Sequence, residues 1–351
     1  MKGEPLISVV MPAYNAQQHL AEAMQSVLAQ TYENLEVILI DDGSSDNTLE
    51  IARSFADPRI RIVENETNLG LVNTLNKALG FCKGDYIARM DADDICVPDR
   101  FRLQVEFLQQ HADVGVVGGA IRFFDSIATP YTFQFPPSHD DIRVALMFYC
   151  PLAHPALMFR RSVYDERKLV YTNEFPHAED YWLWSRFTQE VRSANLPDLL
   201  LHYRLHKKQV STSESNHQYL ASRKVRGWMF AQAGVELDTR DSELHESLIL
   251  ERYAATPEYL NDIAHWFAKL EAANAASGFW DGRALHDLLK ERFRKVLTET
   301  GLQSYRRSAV VEAQSYLPPP SADLARTMRG SASAVQRRCR NAIKRLLMWG
   351  N

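Results

Sequence analysis

Tyr86-Ile87-Ala88-Arg89-Met90-Asp91-Ala92-Asp93-Asp94 is the stretch on which the reading of this chain turns. A short apolar, strand-like run leads directly into three carboxylates within four positions. Strand ends rarely gather that much negative charge without a counter-ion. Hard divalent cations take oxygen ligands, and substrate phosphates commonly complete their shell. The run therefore points to a metal that holds a diphosphate. A plainer reading is an acidic helix cap, because Pro98 and an apolar-periodic segment over 101–110 follow.

Working outward, the first half alternates strand and helix patterns. Leu6–Met11 reads as a buried strand ended by Pro12, followed by Leu20, Met24, Val27 and Leu28 at helical spacing. Leu35–Ile40 is a second strand, stopped by Asp41-Asp42-Gly43-Ser44-Ser45-Asp46, which can also cap a helix over Thr48–Phe55. Ile60–Val63 is a third strand, Leu71–Leu79 a helix and Tyr86–Arg89 a fourth strand. This alternation predicts an α/β fold with a mostly parallel sheet flanked by helices. Such sheets bind ligands beyond the carboxyl ends of their strands. The polar clusters after Met11, Ile40 and Arg89 all fall at such ends. No GxGxxG and no Walker lysine motif is present, which disfavours dinucleotide dehydrogenases and P-loop NTPases.

From about Tyr219 helical patterns take over. Thr256-Pro257 reads as an N-cap and first helical residue, with Leu260, Ile263, Ala264, Phe267 and Leu270 on one face. Leu285, Leu289, Phe293 and Val296 mark a further helix ending at Gly301. The expected organisation is a catalytic domain over 1–217, an all-helical C-terminal region over 218–320 and a basic amphipathic tail over 321–351, with Pro318-Pro319-Pro320 as spacer.

The 351 residues carry a net charge of −4, which argues against bulk affinity for nucleic acid. The tail departs from that average: Arg326, Arg329, Arg337, Arg338, Arg340, Lys344 and Arg345 have no acidic neighbours from Leu324 onward. With Val335, Cys339, Ala342, Ile343, Leu346 and Leu347 at helical spacing, it has the pattern of a helix lying on an anionic membrane. A helix docked on the protein's own core, or a dimer contact, has the same pattern. The four cysteines are scattered without a CxxC pair, so a thiolate zinc site is not expected. No signal-peptide pattern and no membrane-spanning apolar run is seen. The expected location is cytoplasmic, either free or peripheral on the inner membrane's cytoplasmic face.

Pro12-Ala13-Tyr14-Asn15, Ile40-Asp41-Asp42-Gly43-Ser44-Ser45-Asp46, Asn68-Leu69-Gly70, Met90-Asp91-Ala92-Asp93-Asp94 and His177-Ala178-Glu179-Asp180-Tyr181 occur in that order. Each string alone is common in turns. The ordered set, over roughly residues 5–215, resembles a bacterial family-two inverting glycosyltransferase with the GT-A nucleotide-sugar fold.

That resemblance implies roles for particular residues. Pro12, Ala13, Tyr14 and Asn15 would border the nucleotide, with Tyr14 stacked on the base and Asp42 accepting from a base N–H, as uracil offers. Asp41 is an equal candidate by its own chemistry. Asn68 and Gly70 would lie under the ribose and diphosphate, where glycine permits close backbone approach. Arg89, Asp91 and Ala92 would complete the donor site. Arg89 would either neutralise phosphate or pair with a neighbouring carboxylate. Asp93 would be the principal ligand of Mn²⁺ or Mg²⁺, His206 a further ligand, and Asp94 a support.

Asp180 would be the general base on the acceptor hydroxyl, with Glu179 beside it on donor or acceptor hydroxyls. A pair of acids opening an amphipathic helix is the structural alternative. His154 and Trp182 would touch donor or acceptor sugar, although aromatic residues such as Trp182 and Trp184 are more often core.

The implied function is transfer from a nucleotide-diphosphate sugar, a UDP-sugar by the Asp42 argument, to a hydroxyl of a cell-surface glycan or lipid-linked glycan precursor. The alternatives are a nucleotidyltransferase, which would need a Gly-rich basic loop after the first strand, and a non-catalytic glycan-binding protein that retains the fold.

Overall fold

The structure is a computed structural model that describes residues 3–124, 130–168, 170–206, 215–302 and 316. The basic tail and the Pro318–Pro320 spacer lie outside the described residues.

Strand β1 (Ile7–Ala13) is buried along its whole length. It pairs in parallel with β2 (Leu35–Asp41) and with β4 (Tyr86–Arg89), and β3 (Ile60–Glu64) extends the sheet past β2. Helices α1 (Leu20–Leu28), α2 (Thr48–Arg53) and α3 (Leu71–Leu79) connect these strands.

Pro12 does not end β1, contrary to the sequence reading. The carbonyl of Val10 accepts from Met90 N–H on the β4 side, and that of Ala13 accepts from Asp42 N–H on the β2 side. By alternation Pro12 faces the β4 side, beyond the last paired residue of β4. A proline there removes no ladder bond.

The second half is mixed rather than parallel. It comprises β5 (Ile95–Cys96), α4 (Arg100–Gln110), β6 (Val114–Phe124), β7 (Tyr131–Phe133), α5 (His139–Ala145), β8 (Met158–Arg160), α6 (Arg161–Arg167), α7 (Glu179–Phe187) and β9 (Arg192–Arg204). The nine-stranded sheet runs β3-β2-β1-β4-β8-β6-β9-β5, with β7 on β6. Strand β8 is antiparallel to both β4 and β6, and β9 is parallel to β6.

Two consequences follow from these directions. The start of β8, and the 3₁₀ turn His154–Ala156 before it, lie at the carboxyl end of β4. Two reversals also restore the first direction, so β9 delivers Arg204 and His206 to the edge where β1, β2 and β4 end.

Side chains alternate across the sheet, so each face has its own helices. Val9, Met11, Val37 and Leu39 pack with Leu20, Met24 and Val27 of α1 and Phe101 and Val105 of α4. Val10, Ile38 and Ile40 pack with Val72, Leu75 and Leu79 of α3 and with Leu183 and Trp184 of α7. Each fully buried aliphatic side chain contributes roughly 1.5–3 kcal/mol.

The helical region contains α8 (Ser215–Gln232), α9 (Thr239–Ile249), α10 (Pro257–Ser277) and α11 (Gly282–Thr300). Thr256 caps α10 by accepting from Tyr259 N–H at 3.2 Å, Pro257 opens it, and Gly301 closes α11 at φ +72°. The apolar residues read from the sequence on α10 and α11 are buried together with Phe148 and Met147 after α5. Helix α8 crosses residues 217–218, and its Ala221, Val225 and Met229 pack on Leu146, Ala178 and Tyr181. The helices therefore rest directly on the segment that carries α7. Among the described residues no helix is long and apolar enough to cross a membrane.

Candidate active site

The loops after β1 and β2 are tied to each other before any ligand is considered. Asn15 N–H donates to Ser44 Oγ at 3.0 Å, and Ser45 N–H donates to Asn15 Oδ1 at 2.9 Å. Gly43 lies at φ +69°, and a Cβ there would sit 2.6 Å from the carbonyl carbon of Thr67, so only glycine fits without a shift.

Asp42 uses its carboxylate to hold the next loop. Its Oδ1 accepts from Asn65 Nδ2 at 2.7 Å and Leu69 N–H at 2.9 Å, and its Oδ2 accepts from Gly70 N–H at 3.0 Å. Asn68 Oδ1 shares the Gly70 N–H at 2.9 Å. Asp41 accepts from Ser44 N–H through Oδ2, while its buried Oδ1 has no partner. Tyr14 stands out from this floor at 51 % exposure, the position an aromatic platform needs. Pro12 and Ala13 are the buried last residues of β1 beneath it.

At the end of β4, Asp91, Asp93 and Asp94 each offer an oxygen within 4.8 Å of the others. At an effective dielectric near 20, each such pair of full charges would repel by about 3.5 kcal/mol or more. The triplet is not a helix cap: β5 intervenes, and α4 begins at Arg100 with Asp99 before it.

Two arginines and a histidine surround the triplet instead. Arg89, almost fully buried, pairs with Asp91. His206 Nε2 lies 2.9 Å from Asp93 Oδ2. Arg204 N–H donates to Asp94 Oδ1 at 2.8 Å, its Nε donates to the Asp93 carbonyl at 2.8 Å, and its guanidinium reaches Glu22. Burial, followed by Asp93 and Asp91, raises the Asp94 carboxyl well above its ordinary range. Asp94 Oδ2 is buried without a partner. An all-oxygen donor set with an orphaned carboxylate oxygen suits Mg²⁺ or Mn²⁺. Ala92, small and buried, lets the acids bracket this point.

Arg100 underlies the arrangement. Its guanidinium is fully buried and donates to the carbonyls of Arg89 at 2.7 Å and Leu157 at 3.3 Å. It thereby ties the end of β4 to the start of β8.

The other acidic pair arrives on α7. Glu179 and Asp180 form its first turn, where the helix dipole favours negative charge. His177, two residues earlier, is held at φ +64°. Burial, then the neighbouring Asp180, pushes Glu179 up to about 7. Burial likewise raises Asp180, while Tyr181 N–H donates to its Oδ1 at 2.6 Å.

Arg89 pairs with Asp91, and its charge also acts to lower Glu179 and Asp180, so the strand-end triplet and the helix-start pair share one electrostatic neighbourhood. His154 joins them: it is buried, its Nε2 lies 2.7 Å from Tyr171 Oη, and burial and then Arg89 hold its imidazole neutral.

Trp182 stacks on Phe175 at 4.4 Å between centroids and meets Trp228 of α8 edge-on at 4.7 Å. Its half-buried ring thus links α7 to the helical region. Trp184 is core, packed edge-on to Phe159. Residues of this centre missed from sequence include Tyr171, Asn65 and the bracing Arg204. Arg204, two positions before His206, carried a faint signal, and the other two carried none.

A raised carboxyl gives a testable stability signature. Glu179 has a folded pKa above its ordinary 4.5, so its contribution is full below that value and is lost as pH rises through about 7. E179Q mimics the protonated form. It is expected to melt a few degrees above wild type at about pH 8 and to converge with it near about pH 4. Calorimetry across that range checks this, and a gap independent of pH would contradict the buried, raised carboxyl.

A mixed sheet with an acidic triplet at the end of a parallel strand and a separate carboxylate pair at a helix start has the GT-A type architecture. In keeping with this, the structure of S. aureus TarS 1–349 in complex with UDP superposes with a TM-score of 0.53 at 17 % identity, covering 86 % of this chain and 91 % of that one. The chain belongs to the family 2 glycosyltransferases: the Glycosyl transferase family 2 profile matches residues 8–167. An uncharacterized glycosyltransferase of Haemophilus influenzae is 37 % identical over 237 residues, 64 % of this chain and 73 % of that protein. The O-antigen biosynthesis glycosyltransferase WbnJ of Escherichia coli is 33 % identical over 232 residues, 64 % of this chain and 89 % of that protein.

Proposed function

We propose that this protein transfers a sugar, with inversion, from a UDP-sugar to a hydroxyl of a cell-surface glycan precursor. The observation that carries the reading is the acidic triplet Asp91, Asp93 and Asp94 at the end of β4, paired through Asp91 with Arg89, in the same electrostatic neighbourhood as the Glu179–Asp180 pair, which offers a leaving-group side and a nucleophile side. The O-antigen role in WbnJ's name and the UDP bound by TarS support the acceptor class and the donor nucleotide.

In this reading Asp180 removes the acceptor O–H proton as that oxygen attacks the anomeric carbon. The bond from that carbon to the phosphate oxygen breaks, and its electron pair leaves with UDP. A divalent ion held by Asp93, with Asp91 and His206 near it, would supply positive charge for the departing diphosphate. Arg89 sits where it can add to that charge. Tyr14 and the Asp41-Asp42 loop would hold the uracil, and Asn68 and Gly70 the ribose and diphosphate.

The nucleotidyltransferase alternative lacks support at the loop after β1, where residues 14–18 contain neither lysine nor arginine. A pure glycan binder has no use for a buried acid pair beside an arginine. The direct test incubates the protein with Mn²⁺ and a panel of nucleotide sugars and reads released nucleoside diphosphate. UDP release from one or a few UDP-hexoses is expected. Release from GDP-sugars alone would overturn the donor assignment, and pyrophosphate release from a nucleoside triphosphate would favour the rival.

A further inference from the structure

Among its described residues, the connector between α6 and α7 has no regular secondary structure, yet it delivers Glu179 and Asp180 to the start of α7. Irregular backbone fixes a side chain only where it is pinned. The strongest pin on this connector is at Tyr171. Asn76 Nδ2, on α3, donates to the Tyr171 carbonyl at 3.0 Å, and Tyr171 N–H donates to Asn76 Oδ1 at 3.0 Å. One amide side chain thus satisfies both backbone groups of a residue 95 positions away, as a neighbouring strand would. The Tyr171 ring turns inward, 3 % exposed, with its hydroxyl 2.7 Å from His154 Nε2. His154 opens the turn whose Leu157 carbonyl accepts from Arg89 N–H at 3.0 Å.

Helix α3 has its own anchor on the donor side. It begins after Gly70, whose N–H is held by Asp42. A continuous set of contacts therefore runs from the loop under the expected nucleotide, along α3 to Asn76, across to Tyr171, and down the connector to the acid pair.

We propose that Tyr171, clamped by Asn76 and bonded to His154, is a positioning residue that sets the distance between the donor side and the Asp180 carboxylate. The inference rests on the reading of Asp180 as the base. Its physical content is that a base misplaced by about 1 Å loses up to about a hundredfold in rate while donor binding is untouched.

The test compares N76A, N76D and Y171F with wild type and with D180N. N76A removes both backbone bonds at a helical position that favours alanine. N76D keeps the acceptor and loses the donor. Y171F keeps the clamp and loses the hydroxyl. Expected is a fall in kcat of about tenfold to a hundredfold for N76A, a smaller fall for N76D and Y171F, and a UDP affinity within about twofold of wild type in all three. Amide exchange over residues 170–180 of N76A should quicken more than that of the β1–β4 core, with a melting temperature lowered by a few degrees, a readout that needs no turnover.

If D180N is inactive while N76A and Y171F turn over at the wild-type rate, the positioning inference is overturned and the base assignment stands. If D180N is itself fully active, the base assignment fails first. Weakened UDP binding in N76A, in step with kcat, would place Asn76 in donor binding and also overturn the proposal.

Discussion

Asp180→Asn is expected to cut sugar transfer by about a thousandfold while leaving UDP affinity within about twofold. The substitution is isosteric, so the bond from Tyr181 N–H at 2.6 Å keeps its acceptor and the first turn of α7 keeps its shape. What goes is basicity. A general base contributes roughly a hundredfold to ten-thousandfold because the proton leaves the acceptor oxygen only as that oxygen attacks. Binding of the donor precedes that event and is held by other elements, so a kcat effect without a binding effect is the signature sought.

Stability should not fall. The wild-type carboxylate is buried beside Glu179, and burial raises its pKa, so replacing it by a neutral amide removes an unfavourable charge. Single-turnover transfer and UDP titration on the same preparation decide the matter. A near-normal rate in D180N would remove Asp180 from the chemistry and leave the pair as a helix start only.

Much of the first half could be read from sequence because its signals are local. Tyr86–Arg89 and Leu71–Leu79 form elements with the bounds expected, and both lie in continuous or periodic apolar patterns. The start of α10 at Thr256-Pro257 and the end of α11 at Gly301 also fall where expected. Strand direction is different. Nothing in Met158–Arg160 states that it will lie antiparallel beside β4, since that is decided by which partner remains once the parallel strands are in place.

The site divides along the same line. The acids announce themselves because charge at a strand end demands a reason. Asn76 does not, since an asparagine on a helix reads as surface, and its role exists only through a backbone 95 residues on. Tyr171 and Trp182 show the opposite limits of reading aromatic residues. One is turned into the charged centre and the other packs between two rings, yet their local sequence gives no sign of the difference.

Asp93→Ala is the second large effect expected, and it should coincide with that of chelation. Wild-type donor turnover should vanish with EDTA and return with Mn²⁺ or Mg²⁺, whereas D93A should stay at least about a hundredfold down at any metal concentration tested. Three carboxylates within 4.8 Å cannot all carry full charge without mutual repulsion, which burial and the neighbouring acids relieve by raising Asp94, and the fold holds them there with Arg89, His206 and Arg204. Removing Asp93 relieves that repulsion, so the variant should melt no lower than wild type in the absence of metal. The diagnostic quantity is the shift on adding ion and nucleotide. A ligand that binds only the folded state raises its stability by about 2.7 kcal/mol at a hundred times its Kd. Wild type should show a shift of that kind with Mn²⁺ and UDP together, and D93A should show little. His206 offers an internal control: H206A loses one neighbour of Asp93 but none of the three acids, so it should weaken the metal response less than D93A does. Activity that survives exhaustive chelation, with no metal-dependent shift in wild type, would mean that the triplet is neutralised by its arginines alone and that Arg89 by itself faces the leaving diphosphate.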